Sequence, residues 1–140
     1  SIIIRTSWVY SKFGNNFVKT MMRLADTRDE ISVVADQIGT PTNAADLAKA
    51  ILNILPKIKN ETVELFHYSN EGVCSWYDFA KAIFEIKELA LNVKPIISAK
   101  YPTAAERPFY AVLAKDKIVQ EFGILILNWD ISLKVFFNKN

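Results

Sequence analysis

Cysteine, histidine and glycine are scarce in this sequence, and each scarcity excludes a class of structure. The single cysteine, Cys74, cannot form an internal disulfide and fits a reducing cytosol. The single histidine, His67, lies in an apolar stretch without metal ligands at suitable spacing, so we expect no metal site. The four glycines form no Gly-rich run, so the sequence contains no loop that could cradle the phosphates of a dinucleotide.

An excess of one charge and long hydrophobic runs are also missing. The chain has 17 basic and 15 acidic residues, a net charge of +2, which gives no electrostatic footprint for nucleic acid. Apolar runs such as 123–127 are far shorter than the roughly 20 residues that a membrane helix needs. We therefore expect a soluble, cytoplasmic protein with neither nucleic acid nor membrane as a partner, and no secretory signal is visible.

Apolar residues make up 51% of the 140 residues, which is enough for a hydrophobic core. Short β-branched runs alternate with stretches of helical period, and this alternation predicts an α/β fold. The predicted strands are Ile2–Ile4, Ile31–Ala35, Val63–Ser69 and Val93–Ile97. The predicted helices begin at Asn16, at Asn43 (with Asp46 completing the cap), after Ser75 (with Asp78), near Lys115 and near Asn128.

The first strand ends in polar and aromatic residues, which a buried strand does not need for its own stability. Arg5, Thr6, Ser7, Trp8 and Tyr10 follow its apolar run. Ligands of open α/β sheets bind beyond the carboxyl ends of the strands. We therefore expect a ligand site around Trp8, with polar groups of Tyr10, Asn15 and Asn16 close to the indole.

Four blocks of sequence carry a resemblance to a known family. They are RTSWVY followed by GNNFVKTM near the start, VVADQIGTPTNAADLA from Val33, SWYDFAKAIF from Ser75 and YPTAAERPFYAVL from Tyr101. In this order they resemble dTDP-4-dehydrorhamnose reductases, which are extended short-chain dehydrogenases. The resemblance implies that residues 1–140 are a single C-terminal, substrate-binding fragment, made of late Rossmann-like strands and a small mixed α/β region.

The resemblance also implies a division of labour. The N-terminal NADP-binding Rossmann region and the catalytic Tyr-x-x-x-Lys pair would precede this chain. The whole enzyme would use NADPH to reduce dTDP-4-dehydro-L-rhamnose to dTDP-L-rhamnose. The fragment alone would bind no cofactor and would be inactive, and the resemblance leaves a homo-oligomer open.

Roles for individual residues follow from the resemblance alone. The residues implied for the dTDP-sugar are Trp8, Asn15, Asn16, Gln37 and Arg107, and those implied for the cofactor are Thr6, Ser7 and Val9. No catalytic residue is expected within the chain. One departure is Ala111, where the family usually has a small hydroxyl residue.

Tyr77 and Lys81 also spell a Tyr-x-x-x-Lys motif on a predicted helix. That spacing places a lysine beside a tyrosine and can assist proton transfer. A chain with 5 tyrosines and many lysines gives about 0.5 such matches by chance. The motif also lies after the RTSW block rather than before it. We therefore interpret it as structural.

Two other functions remain open from the sequence. A non-catalytic binding module, such as the regulatory subunit of methionine adenosyltransferase, resembles these reductases. A related nucleotide-sugar epimerase or dehydratase is the other, although the RTSW and DQIGTPT blocks argue against it.

Overall fold

The structure, a computed structural model, describes residues 1–100 and 103–138. Strands β1 to β8 are Ile2–Arg5, Val9–Tyr10, Glu30–Val34, Ile38–Gly39, Thr42–Asn43, Glu64–His67, Cys74–Ser75 and Asn92–Ile96. Helices α1 to α5 are Phe17–Ala25, Ala44–Ile54, Trp76–Ile86, Asp116–Phe122 and Trp129–Asn138. The predicted α/β class is confirmed. Tyr101, which begins the fourth resemblance block, and Pro102 lie outside the described residues.

The strands pair two by two, and three of the four pairs are parallel. β1 pairs with β6, β2 with β5 and β3 with β8, whereas β4 and β7 are antiparallel. Parallel neighbours need long crossover connections, and here helices occur in each of them. Val34 at the end of β3 lies opposite Ile96 at the end of β8, so the two chains leave this pair at the same edge.

The helix starts follow the capping residues of the sequence. Asn16 caps α1 by accepting a hydrogen bond from the backbone N–H of Lys19. Ser75 and Asp78 form the predicted capping box of α3. These two caps confirm that the local sequence specifies where α1 and α3 begin.

Asp46 differs from the expectation. Asn43 does cap α2, but its side chain accepts from the N–H of Ala45, and Asp46 does not bond back to the cap. The Asp46 carboxylate instead accepts hydrogen bonds from Asn70 and from the hydroxyl of Ser132 on α5. Because buried donors from distant segments need an acceptor, Asp46 serves tertiary packing rather than the cap.

Two hydrophobic clusters form the core. The larger one packs α1, α3 and α5 on β3, and the smaller one packs α2 and α4 on β6. Tyr10 lies in the larger cluster, 1% exposed, with its ring 5.1 Å from that of Phe136 and 5.6 Å from that of Phe79. The expectation that Tyr10 contributes a polar group to a ligand site beside Trp8 was therefore wrong, because burying the large aromatic ring in the core stabilises the fold.

Neither a membrane span nor a metal cluster is found in the part of the chain that the structure describes. None of the helices there is long and apolar enough to cross a bilayer. His67 lies at the end of β6, and no group of three or more His, Cys, Asp and Glu residues gathers around it or elsewhere in residues 1–100 and 103–138.

Candidate functional site

A cleft of about 520 Å³ opens beside α1 and β3. Phe17, Met21 and Leu24 of α1 and the residues 31–34 of β3 form its mostly apolar walls. Gln37 lies beyond the carboxyl end of β3, where ligands of α/β proteins usually bind. The cleft therefore combines an apolar interior with a polar rim, as small-molecule sites do.

Two stacked indoles lie at the polar end of this cleft. The rings of Trp8 and Trp76 are 3.7 Å apart between centroids and inclined by only 18°, and Trp76 lines the cleft directly. Phe17 continues the aromatic group, with its ring 4.8 Å from Trp76. Together these rings form an aromatic group built from the loop after β1, the first turn of α3 and the first turn of α1, with the two indoles nearly parallel and Phe17 tilted by 45°.

Trp8 is held in an unusual backbone conformation over a glycine. Its φ angle is +47°, in the left-handed region that a bulky residue rarely adopts. A Cβ at Gly39 would lie 2.7 Å from Cζ2 and 2.8 Å from Cε2 of the Trp8 indole. Gly39 is therefore required for the indole to lie where it does.

Hydrogen bonds fasten the segment around Trp8 to the neighbouring loop. Thr6 Oγ1 donates to Thr42 Oγ1 at 3.3 Å, and Ser7 Oγ donates to the Thr40 carbonyl at 2.9 Å. The Thr42 N–H donates to the Trp8 carbonyl at 3.0 Å. Val9 is exposed on the same segment. Thr6, Ser7 and Val9, which are predicted to face the cofactor, thus lie on one short segment. The hydroxyls of Thr6 and Ser7 are both hydrogen-bonded within the protein.

Gln37 has both ends of its amide engaged. Its Oε1 accepts from the indole N–H of Trp76 at 3.2 Å, and its Nε2 donates to Ser98 Oγ at 3.0 Å. The Ser98 hydroxyl and backbone N–H both donate to the Asp36 carboxylate. These hydrogen bonds from Ser98 hold the pKa of Asp36 below its usual value, so the carboxylate is ionised at neutral pH.

Two arginines line the cleft as well. Arg107 and Arg28 both border it, and both are exposed. In residues 1–100 and 103–138 neither guanidinium has a hydrogen-bond or ion-pair partner. The cleft is therefore bordered by two positive groups that are available to a ligand.

Asn15 and Asn16, the other predicted substrate residues, lie at the start of α1 and not in the wall of the cleft. Asn15 is exposed. Asn16 uses its amide inside the protein, since Oδ1 caps the helix and Nδ2 donates to the Ser11 carbonyl at 2.8 Å. The structure thus places Gln37 and Arg107 in the cleft, with Trp8 stacked on the lining residue Trp76, and leaves the two asparagines outside the cleft.

Comparison with known proteins decides the family. The family described as the RmlD substrate binding domain matches residues 1–140. The chain belongs to this family. It is 48% identical to a dTDP-4-dehydrorhamnose reductase from Aggregatibacter actinomycetemcomitans, a match that covers 96% of this chain and 49% of that protein.

Solved structures agree with this assignment. A dTDP-4-dehydrorhamnose reductase from Bacillus anthracis, crystallised in complex with NADP, superposes with a TM-score of 0.87 and 43% identity over 99% of this chain. Another from Clostridium acetobutylicum gives 0.89 and 39% over 99%. The chain covers 48% of each structure, so it spans about half the length of these relatives. The predicted family and fold class are confirmed.

Among the residues that line the cleft of this RmlD substrate-binding domain, the sequence did not single out Trp76, Arg28 or Thr103. It did not single out Ser98 either, which contacts the cleft residue Gln37. Trp76 directly follows the Ser75 cap, and Arg28 is one of only four arginines, so each carried a weak local signal. Nothing in the sequence near Ser98 points to its place beside Asp36, because the two are 62 residues apart.

Tyr77 and Lys81 lie outside the cleft of this domain. Lys81 Nζ is over the Tyr77 ring, 5.5 Å from its centroid, which is a cation–π contact rather than a lysine beside the phenol hydroxyl. Both border a separate depression of about 340 Å³ together with Glu85 and Glu88. This geometry favours the structural interpretation of the motif.

Cys74 is a passive thiol in this domain. It is 3% exposed, and burial, followed by the nearby charge of Asp78, raises its pKa to about 12. Because the thiolate is the reactive form, the side chain is inert near neutral pH.

Proposed function

We propose that this chain is the substrate-binding part of a dTDP-4-dehydrorhamnose reductase, and that the whole protein uses NADPH to reduce dTDP-4-dehydro-L-rhamnose to dTDP-L-rhamnose. The observation that carries the proposal is the cleft that joins the Trp8–Trp76 wall to the exposed guanidinium of Arg107. The names of the relatives at 48% and 43% identity support it.

The cleft has the chemistry that a nucleotide diphosphate sugar requires. A flat indole face suits the hydrogen-lined face of a deoxy-pyranose, and we assign Trp8 to the sugar together with the Trp76 indole, which is stacked on it and lines the cleft. Arg107, joined by Arg28, offers a planar fork that can bind a diphosphate with paired, charge-assisted hydrogen bonds. The apolar walls of α1 and β3 then leave room for the rest of the nucleotide.

The remaining predicted residues receive supporting roles in the same proposal. Gln37 acts on the dTDP-sugar through the indole that it holds. Asn15 and Asn16 stay assigned to the sugar, at the start of α1 and outside the wall of the cleft. Thr6, Ser7 and Val9 lie at the edge that faces the cofactor. We place the protein in the cytoplasm, where nucleotide sugars are made, and a homo-oligomer remains compatible with the proposal.

The residues present do not fit the diphosphate of NADPH. Its binding needs closely spaced glycines at a helix N-terminus, whereas the glycines here are Gly14, Gly39, Gly72 and Gly123, at least 25 residues apart. We therefore assign binding of the cofactor diphosphate, hydride transfer and the proton-donating tyrosine to a part of the protein outside these 140 residues. Residues 1–140 alone should be inactive.

The experiment that tests this proposal follows NADPH oxidation by the whole polypeptide that contains this chain. We expect oxidation that depends on dTDP-4-dehydro-L-rhamnose and is absent with UDP-galactose or dTDP-glucose. Epimerisation and dehydration consume no net NADPH, so conversion of those two sugars is followed by chromatography of the products. Conversion of either sugar would point to an epimerase or a dehydratase instead. A polypeptide that binds NADPH but converts none of these sugars would match the binding-module alternative and overturn the proposal.

A further inference from the structure

A chain of hydrogen bonds with a single permitted direction ends on Trp76. The indole N–H is a donor only, so Gln37 must turn its oxygen toward it. The other end of the same amide is then NH₂, and it needs an acceptor. Ser98 Oγ is that acceptor because its only proton is given to Asp36. The ionised carboxylate of Asp36 can only accept hydrogen bonds, so it is the last acceptor in this series.

The direction of this chain cannot be reversed. A flipped Gln37 amide would place NH₂ against the indole N–H, two donors facing each other. The Ser98 backbone N–H also donates to both Asp36 oxygens at 3.0 Å, so the serine is fixed from two sides. Because Asp36 follows β3 and Ser98 follows β8, the paired strands set the positions of both residues.

We propose that Asp36, Ser98 and Gln37 are positioning residues that orient the Trp76 indole against Trp8, so that Trp76 forms part of the wall that the nucleotide sugar contacts. This inference rests on the proposed function for the identity of the ligand, while the orientation of the indole follows from the protein alone. Trp76 already lines the cleft and lies 3.7 Å from Trp8 between ring centroids.

The orientation can be measured without any ligand. Two indoles stacked this closely couple electronically and give a paired positive and negative band in the far-ultraviolet circular dichroism spectrum. Trp8→Phe and Trp76→Phe should each remove the band and so identify it. In the whole polypeptide, Ser98→Ala and Gln37→Met should reduce the band. Ser98→Ala removes the acceptor of the Gln37 amide, and Gln37→Met removes the acceptor of the Trp76 indole N–H. Ser98→Thr keeps the hydroxyl and should retain the band.

The effect on the ligand is then read with dTDP-L-rhamnose and with the sugar substrate. Loss of one net hydrogen bond corresponds to about a 2-fold to 12-fold weaker affinity for the product dTDP-L-rhamnose, which carries the sugar, in Ser98→Ala and Gln37→Met. The KM for the sugar should rise by a similar factor with kcat nearly unchanged. Ser69→Ala is the matched control, since Ser69 is buried and its hydroxyl donates only to the Asn70 carbonyl.

The outcomes separate this inference from the proposed function. A coupled band that is unchanged in both Ser98→Ala and Gln37→Met would overturn the positioning role. An equal loss of dTDP-L-rhamnose affinity in Ser69→Ala would overturn it too, because the effect would then be general destabilisation. If the parent protein does not bind dTDP while the band still responds to the variants, the proposed function fails and the positioning of Trp76 stands.

Discussion

Gly39→Ala is the substitution whose effect can be worked out most directly from the structure. A glycine replaced by alanine in an ordinary backbone conformation usually gains about 0.4–1 kcal/mol, because the unfolded chain loses freedom. Here the new methyl group would lie 2.7 Å from the Trp8 indole, closer than real Cβ contacts. Overpacking of this kind costs about 1–3 kcal/mol. The midpoints leave a net loss of about 1.3 kcal/mol.

Urea denaturation of the parent and the variant measures this loss. With a slope of about 2 kcal/mol per molar, the midpoint should fall by roughly 0.6 M while the slope stays the same. The coupled circular dichroism band of Trp8 and Trp76 should weaken as well, since the indole must move to admit the methyl group.

A double-mutant cycle with Trp8→Leu identifies the cause. Without the indole, Gly39→Ala should no longer destabilise and should gain about 0.4–1 kcal/mol, as it does at unobstructed sites. If Gly39→Ala lowers the free energy of unfolding equally in the parent and in the Trp8→Leu variant, the close approach of the indole is not the reason that glycine occupies this position.

Three further predictions follow from other parts of the molecule. Arg107→Ala in the whole protein should weaken the affinity for the dTDP-sugar about 10-fold to 150-fold by calorimetry, which corresponds to about 1.5–3 kcal/mol for a charged hydrogen bond. NADPH affinity should not change, and Arg107→Lys should restore the affinity for the dTDP-sugar only in part. A lower melting temperature with normal dTDP binding would make Arg107 structural. Tyr77→Phe should leave turnover within a few-fold of the parent, whereas a loss of about 10²–10⁴-fold in steady-state kinetics would make Tyr77 the proton donor. Burial, with the charges of Asp46 and Glu71, raises the pKa of Tyr68 from 10.0 to about 12. Between these pH values the folded state keeps a proton that the unfolded state loses, so the free energy of unfolding should fall as the pH rises from 10 to 12. A phenolate absorbance titration that shows all five tyrosines ionising together near pH 10 would contradict this.

Much of the fold could be read from the sequence, because the signals are local. The β-branched run at Ile2–Ile4 and the caps at Asn16 and Ser75 depend on neighbours a few residues away, and the structure places strands and helices there. Asp46 shows the limit of such signals. It has the spacing of a capping residue, but distant donors from Asn70 and Ser132 claim its carboxylate.

The site was less predictable because its contacts join segments far apart in the chain. Trp8 and Arg107 were named from family blocks; Arg107 borders the cleft, and Trp8 stacks on Trp76, which lines it. The bond between Gln37 and Ser98, 61 residues apart, depends on how β3 and β8 pair, and the stack joins the loop after β1 to the start of α3. No local pattern specifies that pairing, so Trp76 and Ser98 could be found only in the folded chain.

Hydrogen exchange of the whole polypeptide, followed by mass spectrometry with dTDP and with NADPH in turn, tests most directly whether this chain is the substrate-binding part. With dTDP we expect slower exchange in residues 28–37, in the first turn of α3 around Trp76 and in the segment that contains Arg107. With NADPH we expect protection mainly outside residues 1–140 and, within them, only around Thr6–Val9. Strong protection of the cleft by NADPH, or protection by dTDP that falls entirely outside these 140 residues, would contradict the assignment.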